Sequence, residues 1–353
     1  MDYADHTLAE PGHITAALVA QHGAAAGQYI HRRNRHQFPI PGRLNLALAA
    51  VQVAVAFAIL AVASHTRSPW LIAALAAGFA FVMQLGFCLA HEAVHRKLHP
   101  NRDINLAVGV FMFSLFPGSF HFFETAHLIH HRRNRSDDEL EDYVLPGENA
   151  VVKRGMYYLL ISGLFWMLLV LSSVVIAFIP VNRIHLPRPA DDAGAFRKFI
   201  QFLNDLRPSR VRRDLLAGFC IWAVAGSLLH LRLSAVLICY AAFAFSWASQ
   251  QYIYHVRTPR HAVLGALDLK LWRPVEMLYL HFNYHLTHHL AVWVPWNHLP
   301  SIAPRQPELG YLKTYANLWR PPQRLEQSWP EQYQTSGPLA APPRSKAGLH
   351  FPL

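Results

Sequence analysis

Three short clusters of histidine are the residues of this chain whose type and spacing could do chemistry. They are His91-x-x-x-His95, His127-x-x-His130-His131 and His285-x-x-His288-His289. Residues three or four positions apart share one face of a helix, so each cluster would present its imidazoles in one direction. The isolated His255, in the stretch Gln251-Tyr-Ile-Tyr-His255, is a further candidate.

Neutral imidazoles in this number predict a metal centre. Imidazole suits zinc, copper, iron and nickel. A structural zinc needs four ligands and usually recruits Cys, whereas nine histidines are too many for one ion and about right for two. An all-nitrogen site for two metals with open positions would suit oxygen chemistry at iron.

The composition predicts that membrane helices position these histidines. Hydrophobic residues make up 53% of the 353 and charged residues only 15%, against about 25% charged in soluble domains. Leu44–Ser64 and Pro69–Ala90 are each long enough to span a bilayer, and the second ends at the first histidine cluster. Arginines precede the first span, which predicts a cytoplasmic N-terminus and cytoplasmic clusters. The net charge of +11 fits lipid contact, and no nucleic-acid module is visible.

Further apolar runs leave the topology open. Ile104–Phe120 is too short for a span, Met156–Ile179 is long enough, and Leu215–Leu229 and Leu233–Ser249 are shorter. If the charged segment between Met156–Ile179 and Leu215–Leu229 is cytoplasmic, Met156–Ile179 folds back as one hairpin. Leu215–Leu229 and Leu233–Ser249 then form another. If the charged segment is external, the chain crosses once before it and once after it. Both layouts return every cluster to one side. Residues 196–206 within that segment predict an interfacial amphipathic helix.

The three ordered boxes and the hydrophobic hairpins between them resemble the membrane fatty acid desaturase and hydroxylase superfamily over residues 44–300. The resemblance implies a di-iron centre held by the box histidines, with His255 as a further ligand outside the boxes and O2 as co-substrate. It also implies a tunnel for an acyl chain. In the animal acyl desaturases an Asn four residues before this ligand holds a water on one iron, and here that position is Gln251.

The predicted fold is therefore an all-α integral membrane protein. Transmembrane helical hairpins would be capped by a cytoplasmic helical domain that carries the histidine-ligated di-iron site. We divide the chain into a cytoplasmic segment 1–43, the membrane domain 44–300 and a Pro-rich cytoplasmic tail 301–353, whose last fifteen or so residues look disordered.

Within the superfamily, the flanks Ala126–Arg135 and Ser136–Tyr143 look like a bacterial branch. We favour the branch of membrane fatty acid decarboxylases that make 1-alkenes from free fatty acids, with fatty acyl desaturase or hydroxylase as the alternative. The expected location is a bacterial inner membrane. No electron-transfer module is visible in the sequence, so we expect a separate donor such as ferredoxin with its reductase.

Two groups of residues are predicted to support the site. A substrate carboxylate would need a cation, and the nearest in sequence to the ligands are Arg132, Arg133, Arg135, Arg257 and Arg260. Ligand imidazoles usually donate their other N–H to a partner. Candidates for this role or for contact with the site are Gln251, His99, His121, His281, Asp137 and Asp268, with Glu92, Glu124, Asp138 and Asp142 as further carboxylates.

A histidine-rich metal transporter or metal sensor is the alternative from another functional class. Transporters place polar ligands near the bilayer midplane, inside their spanning segments. Here the clusters lie at the ends of those segments and outside them. Their position favours the enzyme.

Overall fold

The structure is a computed structural model that describes residues 36–178, 202, 204–258, 260–303 and 306–325. These residues are mostly helical. The α-helices are α1 (Gly42–His65), α2 (Pro69–Val94), α3 (Arg102–Ser114), α4 (Phe120–Arg133), α5 (Ala150–Ile161), α6 (Leu164–Phe178), α7 (Pro208–Leu229), α8 (Leu233–Tyr252), α9 (Arg273–Leu278), α10 (His285–Leu290), α11 (Leu299–Ile302) and α12 (Tyr311–Leu318). Short 3-10 turns cover Asp137–Glu139 and Trp296–His298, and the strands are β1 (Tyr143–Val144) and β2 (Gln323–Arg324).

The chain forms two compact units that alternate along the sequence. The helical unit comprises Pro41–Ile129 and Gly155–Tyr252, and the loop-rich unit comprises Met1–Ile40, His130–Arg154 and Ile253–Leu353, as far as these are described. The predicted boundaries at residues 43 and 300 stay predictions.

In the helical unit, α1 and α2 form a hairpin with close helix contact. Ser68 ends the connection by accepting a hydrogen bond from the Leu71 amide (3.4 Å), and Pro69 occupies the first helical turn, where its missing N–H costs nothing. A Cβ on Gly86 of α2 would lie 2.8 Å from Gln52 Nε2 of α1. A larger residue at this position would therefore displace the Gln52 side chain.

Helix α8 packs beside α2 and runs parallel to it. The rings of Phe79 and Tyr240 are 5.1 Å apart, and those of Phe87 and Trp247, about two turns further along both helices, are 5.5 Å apart. Helix α8 follows α7 after a tight turn in which His230 adopts a left-handed φ of 48°.

Three of the described helices are long and apolar enough to cross a membrane, namely α1, α2 and α8. They match the predicted runs at 44–64, 69–90 and 233–249. Helix α3 has only 13 residues, as expected for the short run after the first cluster. The chain is an integral membrane protein.

The predicted span Met156–Ile179 is broken in the structure. The axes of α5 and of Trp166–Phe178 in α6 differ by 77°, so the pair is a broken span or a re-entrant loop. Gly163 in the break has a φ of 84°, and a Cβ there would lie 2.4 Å from the carbonyl oxygen of Ala244 in α8. The bend therefore depends on a glycine. Most of the predicted amphipathic helix at 196–206, and the tail beyond residue 325, lie outside the described residues.

The loop-rich unit is held together by short pairings between distant segments. Strand β1 pairs in parallel with β2, with Tyr143 opposite Gln323, and a parallel bridge joins Lys270 to Gly310. Residues 311–325, which the sequence assigned to the tail, are therefore part of this unit's fold.

Candidate metal centre

Four predicted ligands form one cluster inside the loop-rich unit. They are His130 at the end of α4, His255 just after α8, and His285 and His289 on α10. Each offers a ring nitrogen, and these four atoms lie within 4.8 Å of one another. His255 Nε2 and His285 Nε2 are 3.1 Å apart. Side chains from three separate segments thus converge on a space of the size that one ion needs.

The protein fixes which nitrogen two of these rings present to the cluster. His255 Nδ1 lies 2.7 Å from the carbonyl oxygen of Gly265, and His130 Nδ1 lies 2.6 Å from Glu139 Oε2. Both oxygens accept, so each Nδ1 carries the proton and a neutral ring turns the lone pair of its Nε2 to the cluster. Burial, with a smaller contribution from the charge of His130, lowers the pKa of His255 to about 3. At neutral pH the ring is a neutral donor, which fits a divalent cation.

A second pair of predicted ligands meets in the same unit. His131 Nε2 and His288 Nε2 are 3.2 Å apart. His131 follows His130 on α4, and His288 precedes His289 on α10. Adjacent residues on a helix point in different directions, so this pair presents its nitrogens apart from the first cluster.

The helical unit carries the other three predicted ligands. The ligand nitrogens of His91, His95 and His127 lie within 4.8 Å of one another, and His95 Nε2 is 2.9 Å from His127 Nε2. Aromatic rings lie behind them, with Phe123 stacked on His127 at 5.5 Å and Phe87 6.2 Å from His91. These aromatic contacts therefore restrict the orientations of the imidazoles.

A buried ion pair lies beside the first histidine box. Lys97 Nζ is 3.1 Å from Glu92 Oε1, and both side chains are almost fully buried. Burial lowers the pKa of Lys97, and the charge of Glu92 opposes that shift. Glu92 was predicted to contact a ligand, and the structure pairs it with this lysine.

Helix α4, which carries His127, His130 and His131, is anchored at its N-terminus by α7. Asp214 of α7 accepts hydrogen bonds from Ser119 Oγ (2.7 Å) and from the backbone amide of His121 (2.9 Å). Ser119 Oγ in turn accepts from the Phe122 amide at 3.2 Å. These bonds satisfy first-turn amides that have no partner within the helix, and the carboxylate also suits the positive end of the helix dipole.

Helix α10 has a comparable anchor. Asp268 accepts hydrogen bonds from the backbone amide of Thr287 (3.0 Å) and from its hydroxyl (2.6 Å). Thr287 lies between His285 and His288, so this carboxylate fixes the turn that carries the third box.

Protein groups hold Arg135, Arg257 and Arg260, which the sequence predicts to bind a substrate carboxylate. Arg135 is paired with Asp142 at 2.6 Å, and Arg260 with Asp137. The guanidinium of Arg257 donates to the backbone carbonyls of Asp142 (2.7 Å) and Pro321 (2.7 Å). A substrate carboxylate would have to displace these contacts. The carboxylate-binding role of these three, and of Arg132 and Arg133, stays a prediction.

The structure also shows the surroundings of the other residues that were predicted to support the metal centre. His121 Nδ1 contacts Asp214 at 2.9 Å, and His281 Nδ1 contacts Glu276 at 3.1 Å. His99 Nδ1 accepts from the Asn101 amide at 3.0 Å, beside the start of α3. Gln251 is half-buried in the last turn of α8. Their contribution to the metal centre stays a prediction.

Sequence reasoning did not find the two groups that hold His130 and His255. Glu139 is one of five acidic residues in the run Asp137–Asp142, and nothing in that run distinguishes it. The other group is a backbone carbonyl, which has no signature in a sequence.

The family model described as fatty acid desaturase matches residues 68–320. The chain belongs to the fatty acid desaturase family. Its membership in this family assigns the protein to the oxidoreductases. Its histidine clusters are compatible with a metal site. A search of curated proteins found no match to it.

Proposed function

We propose that this chain is a membrane di-iron enzyme that uses O2 and electrons to cleave C–H bonds of a fatty acid chain. The observation that carries the proposal is the cluster of His130, His255, His285 and His289, in which protein contacts at Nδ1 of His130 and His255 leave their Nε2 atoms to face the other ligands. These four would hold one iron. The remaining predicted ligands of the di-iron centre are His91, His95, His127, His131 and His288.

Bound iron would supply the activation of O2. The protein supplies the orientation of the ligands. Glu139 and the Gly265 carbonyl keep two imidazoles in the tautomer that can ligate, and Asp268 holds the turn that carries the third box. Ligands fixed in this way need no rearrangement when a cation binds.

The position of the substrate would decide the product. Loss of hydrogen from two adjacent carbons gives an internal alkene, and transfer of oxygen to one carbon gives an alcohol. Loss of hydrogen from the carbon β to a free carboxylate, followed by cleavage of the bond to that carboxylate, gives a 1-alkene and carbon dioxide. In this last reaction O2 is reduced to two waters, with two electrons from the acid and two from an external donor.

We favour oxidative decarboxylation of a free fatty acid, with desaturation and hydroxylation as alternatives. The sequence around the second box, Ala126–Tyr143, looks like a bacterial branch of the superfamily, and within it we favour the branch that makes 1-alkenes. The proposed setting is a bacterial inner membrane with the site on its cytoplasmic side, supplied with electrons by a separate ferredoxin and reductase. Family membership favours this enzyme over a metal transporter or sensor.

Product analysis tests the proposal. Cells that express the chain are fed C12 to C18 fatty acids, and headspace and lipid extracts are analysed by gas chromatography–mass spectrometry. His130→Ala is the inactive variant. His65→Ala is the matched control, because His65 is exposed at the end of α1 and contacts only the local Ala61 carbonyl in the described structure.

Each outcome separates the alternatives. We expect a 1-alkene one carbon shorter than the fed acid in wild type and His65→Ala, and none in His130→Ala. An internal alkene or hydroxy acid of unchanged carbon number would keep the family chemistry and refute decarboxylation. Bound iron without any product, when the electron donor is also supplied, would favour the sensor or transporter.

A further inference from the structure

An exposed apolar patch lies on the loop-rich unit. Trp272, Met277 and Leu312 are 73%, 57% and 82% exposed. The segments that carry Trp272 and Leu312 start side by side, since Lys270 bridges Gly310 in parallel register and its carbonyl accepts from the Tyr311 amide at 3.1 Å. Each of the two side chains stands two residues beyond this bridge. Large apolar side chains that are exposed together mark interaction sites.

Basic side chains lie beside these apolar ones in the same segments. Lys270, Arg273 and Lys313 are all exposed, and Glu308 is the one exposed carboxylate in the described segments 270–278 and 306–316. Glu276 of the same helix is half-buried and pairs with His281 at 3.1 Å. The patch therefore presents an apolar centre with a positively charged rim. We call these six residues, Trp272, Met277, Leu312, Lys270, Arg273 and Lys313, the Trp272 patch.

The Trp272 patch is close to the segment that carries the third histidine box. Helix α9, which contains Met277, leads through a short turn to α10, and Glu276 of α9 contacts both His281 and the Asn283 amide group (3.4 Å). Two residues after Asn283 comes the ligand His285.

We propose that the Trp272 patch is the docking surface for an acidic one-electron carrier protein of the ferredoxin type. This inference rests on the proposed function, which requires an external electron donor. Each docking event would move one electron from the reduced carrier to the metal centre and leave the carrier oxidised by one electron. Two events supply the two electrons that one turnover requires.

The chemistry of the patch fits such a partner. Trp, Met and Arg are enriched in protein interfaces, and electron-transfer encounters are small and transient. A basic rim raises the association rate with an acidic partner. An exposed Trp beside Lys and Arg also suits lipid headgroups. The short connection to His285 favours the carrier, since an electron has to reach the ligands.

Binding and turnover of the full-length, iron-loaded protein test the proposal separately. The protein is placed in phosphatidylcholine nanodiscs, and the Kd of a plant-type [2Fe–2S] ferredoxin is measured at low salt. The variants are Trp272→Ala and the charge reversal Lys270→Glu/Arg273→Glu/Lys313→Glu. The matched control is Arg154→Glu, which reverses an exposed charge elsewhere on the same unit. Iron content and thermal unfolding check that each variant is folded.

We expect the charge reversal to raise the Kd at least about tenfold, with a weaker salt dependence. Trp272→Ala should raise it by about tenfold, and Arg154→Glu should stay within about twofold of wild type. A single turnover, started by O2 after anaerobic reduction with dithionite, should be unchanged in all variants, because chemical reduction bypasses the patch.

Three results would overturn the docking surface. One is a wild-type protein that does not bind ferredoxin, and another is wild-type affinity in both patch variants. The third is a variant effect that appears only when phosphatidylglycerol is added to the nanodiscs, which would assign the patch to lipid. The two proposals can also fail separately. If the patch variants lose ferredoxin binding but wild type shows no turnover with any reductant, the docking surface is supported and the proposed function is refuted.

Discussion

Removal of the Glu139 carboxylate should weaken metal binding at the four-histidine cluster. Glu139 Oε2 lies 2.6 Å from His130 Nδ1, and the glutamate side chain is only 5% exposed. This contact fixes the ring orientation in which Nε2 points to the other three ligands. Loss of such outer partners costs about 10- to 100-fold in metal affinity, which corresponds to about 1.4–2.7 kcal/mol.

The exposure of His130 determines where the loss of metal affinity falls within that range. Its side chain is 24% exposed, so water can replace part of the lost acceptor in Glu139→Ala. We expect a loss at the lower end of the range, about 10- to 30-fold. Glu139→Gln keeps an accepting oxygen and loses only the charge, so its loss should be smaller.

An anaerobic titration measures these affinities. Metal-free protein is titrated with Fe²⁺ against a competing chelator, and the affinity and number of sites are fitted. Glu148→Ala is the matched control, because Glu148 pairs with Lys153 at the surface (3.2 Å). Iron binding by Glu139→Ala as tight as in wild type, or an equal loss in the control, would refute this role of Glu139.

The hydrogen bonds of Asp214 and Asp268 and the bend at Gly163 give further predictions. Asp214→Ala leaves buried donors of Ser119 and His121 without their acceptor and should cost about 3 kcal/mol of stability. Thermal unfolding should show a lower midpoint, and Asp214→Asn should lose less. Gly163→Ala places a Cβ 2.4 Å from a backbone oxygen at positive φ, and should lower the free energy of unfolding by about 2–4 kcal/mol. In the control Gly155→Ala the Cβ meets nothing within 4 Å, so this variant should unfold like wild type. Asp268→Ala frees the third-box turn and should lower iron content on metal analysis, with Asp268→Asn intermediate; equal iron in all three proteins would contradict this.

The histidine boxes were predictable because helix periodicity alone groups them. Spacings of three and four residues predict helices at the boxes, and the structure forms α4 and α10 at the second and third. The expectation that each box points in one direction is met only in part, because His131 and His288 meet each other apart from the cluster of His130, His285 and His289. The long apolar runs likewise predicted α1, α2 and α8, because length and composition are enough to identify a membrane span.

Contacts between distant segments could not be predicted. Arg135 and Arg257 are close to ligands in sequence and could have bound substrate, but both meet Asp142, which for Arg257 lies 115 residues away. The bend at Gly163 lies inside a continuous apolar run, and its cause is the approach of α8. Glu139 reaches His130 because a 3-10 turn directs one acidic residue of a run toward the ring.

Metal analysis of the purified full-length protein tests the central claim most directly. Iron per chain is measured for wild type and for His255→Ala/His289→Ala, which removes two of the four clustered ligands. We expect two irons per wild-type chain and one in the double variant, with the fold retained. A wild-type protein that contains zinc or no metal, or a double variant with unchanged iron, would contradict it.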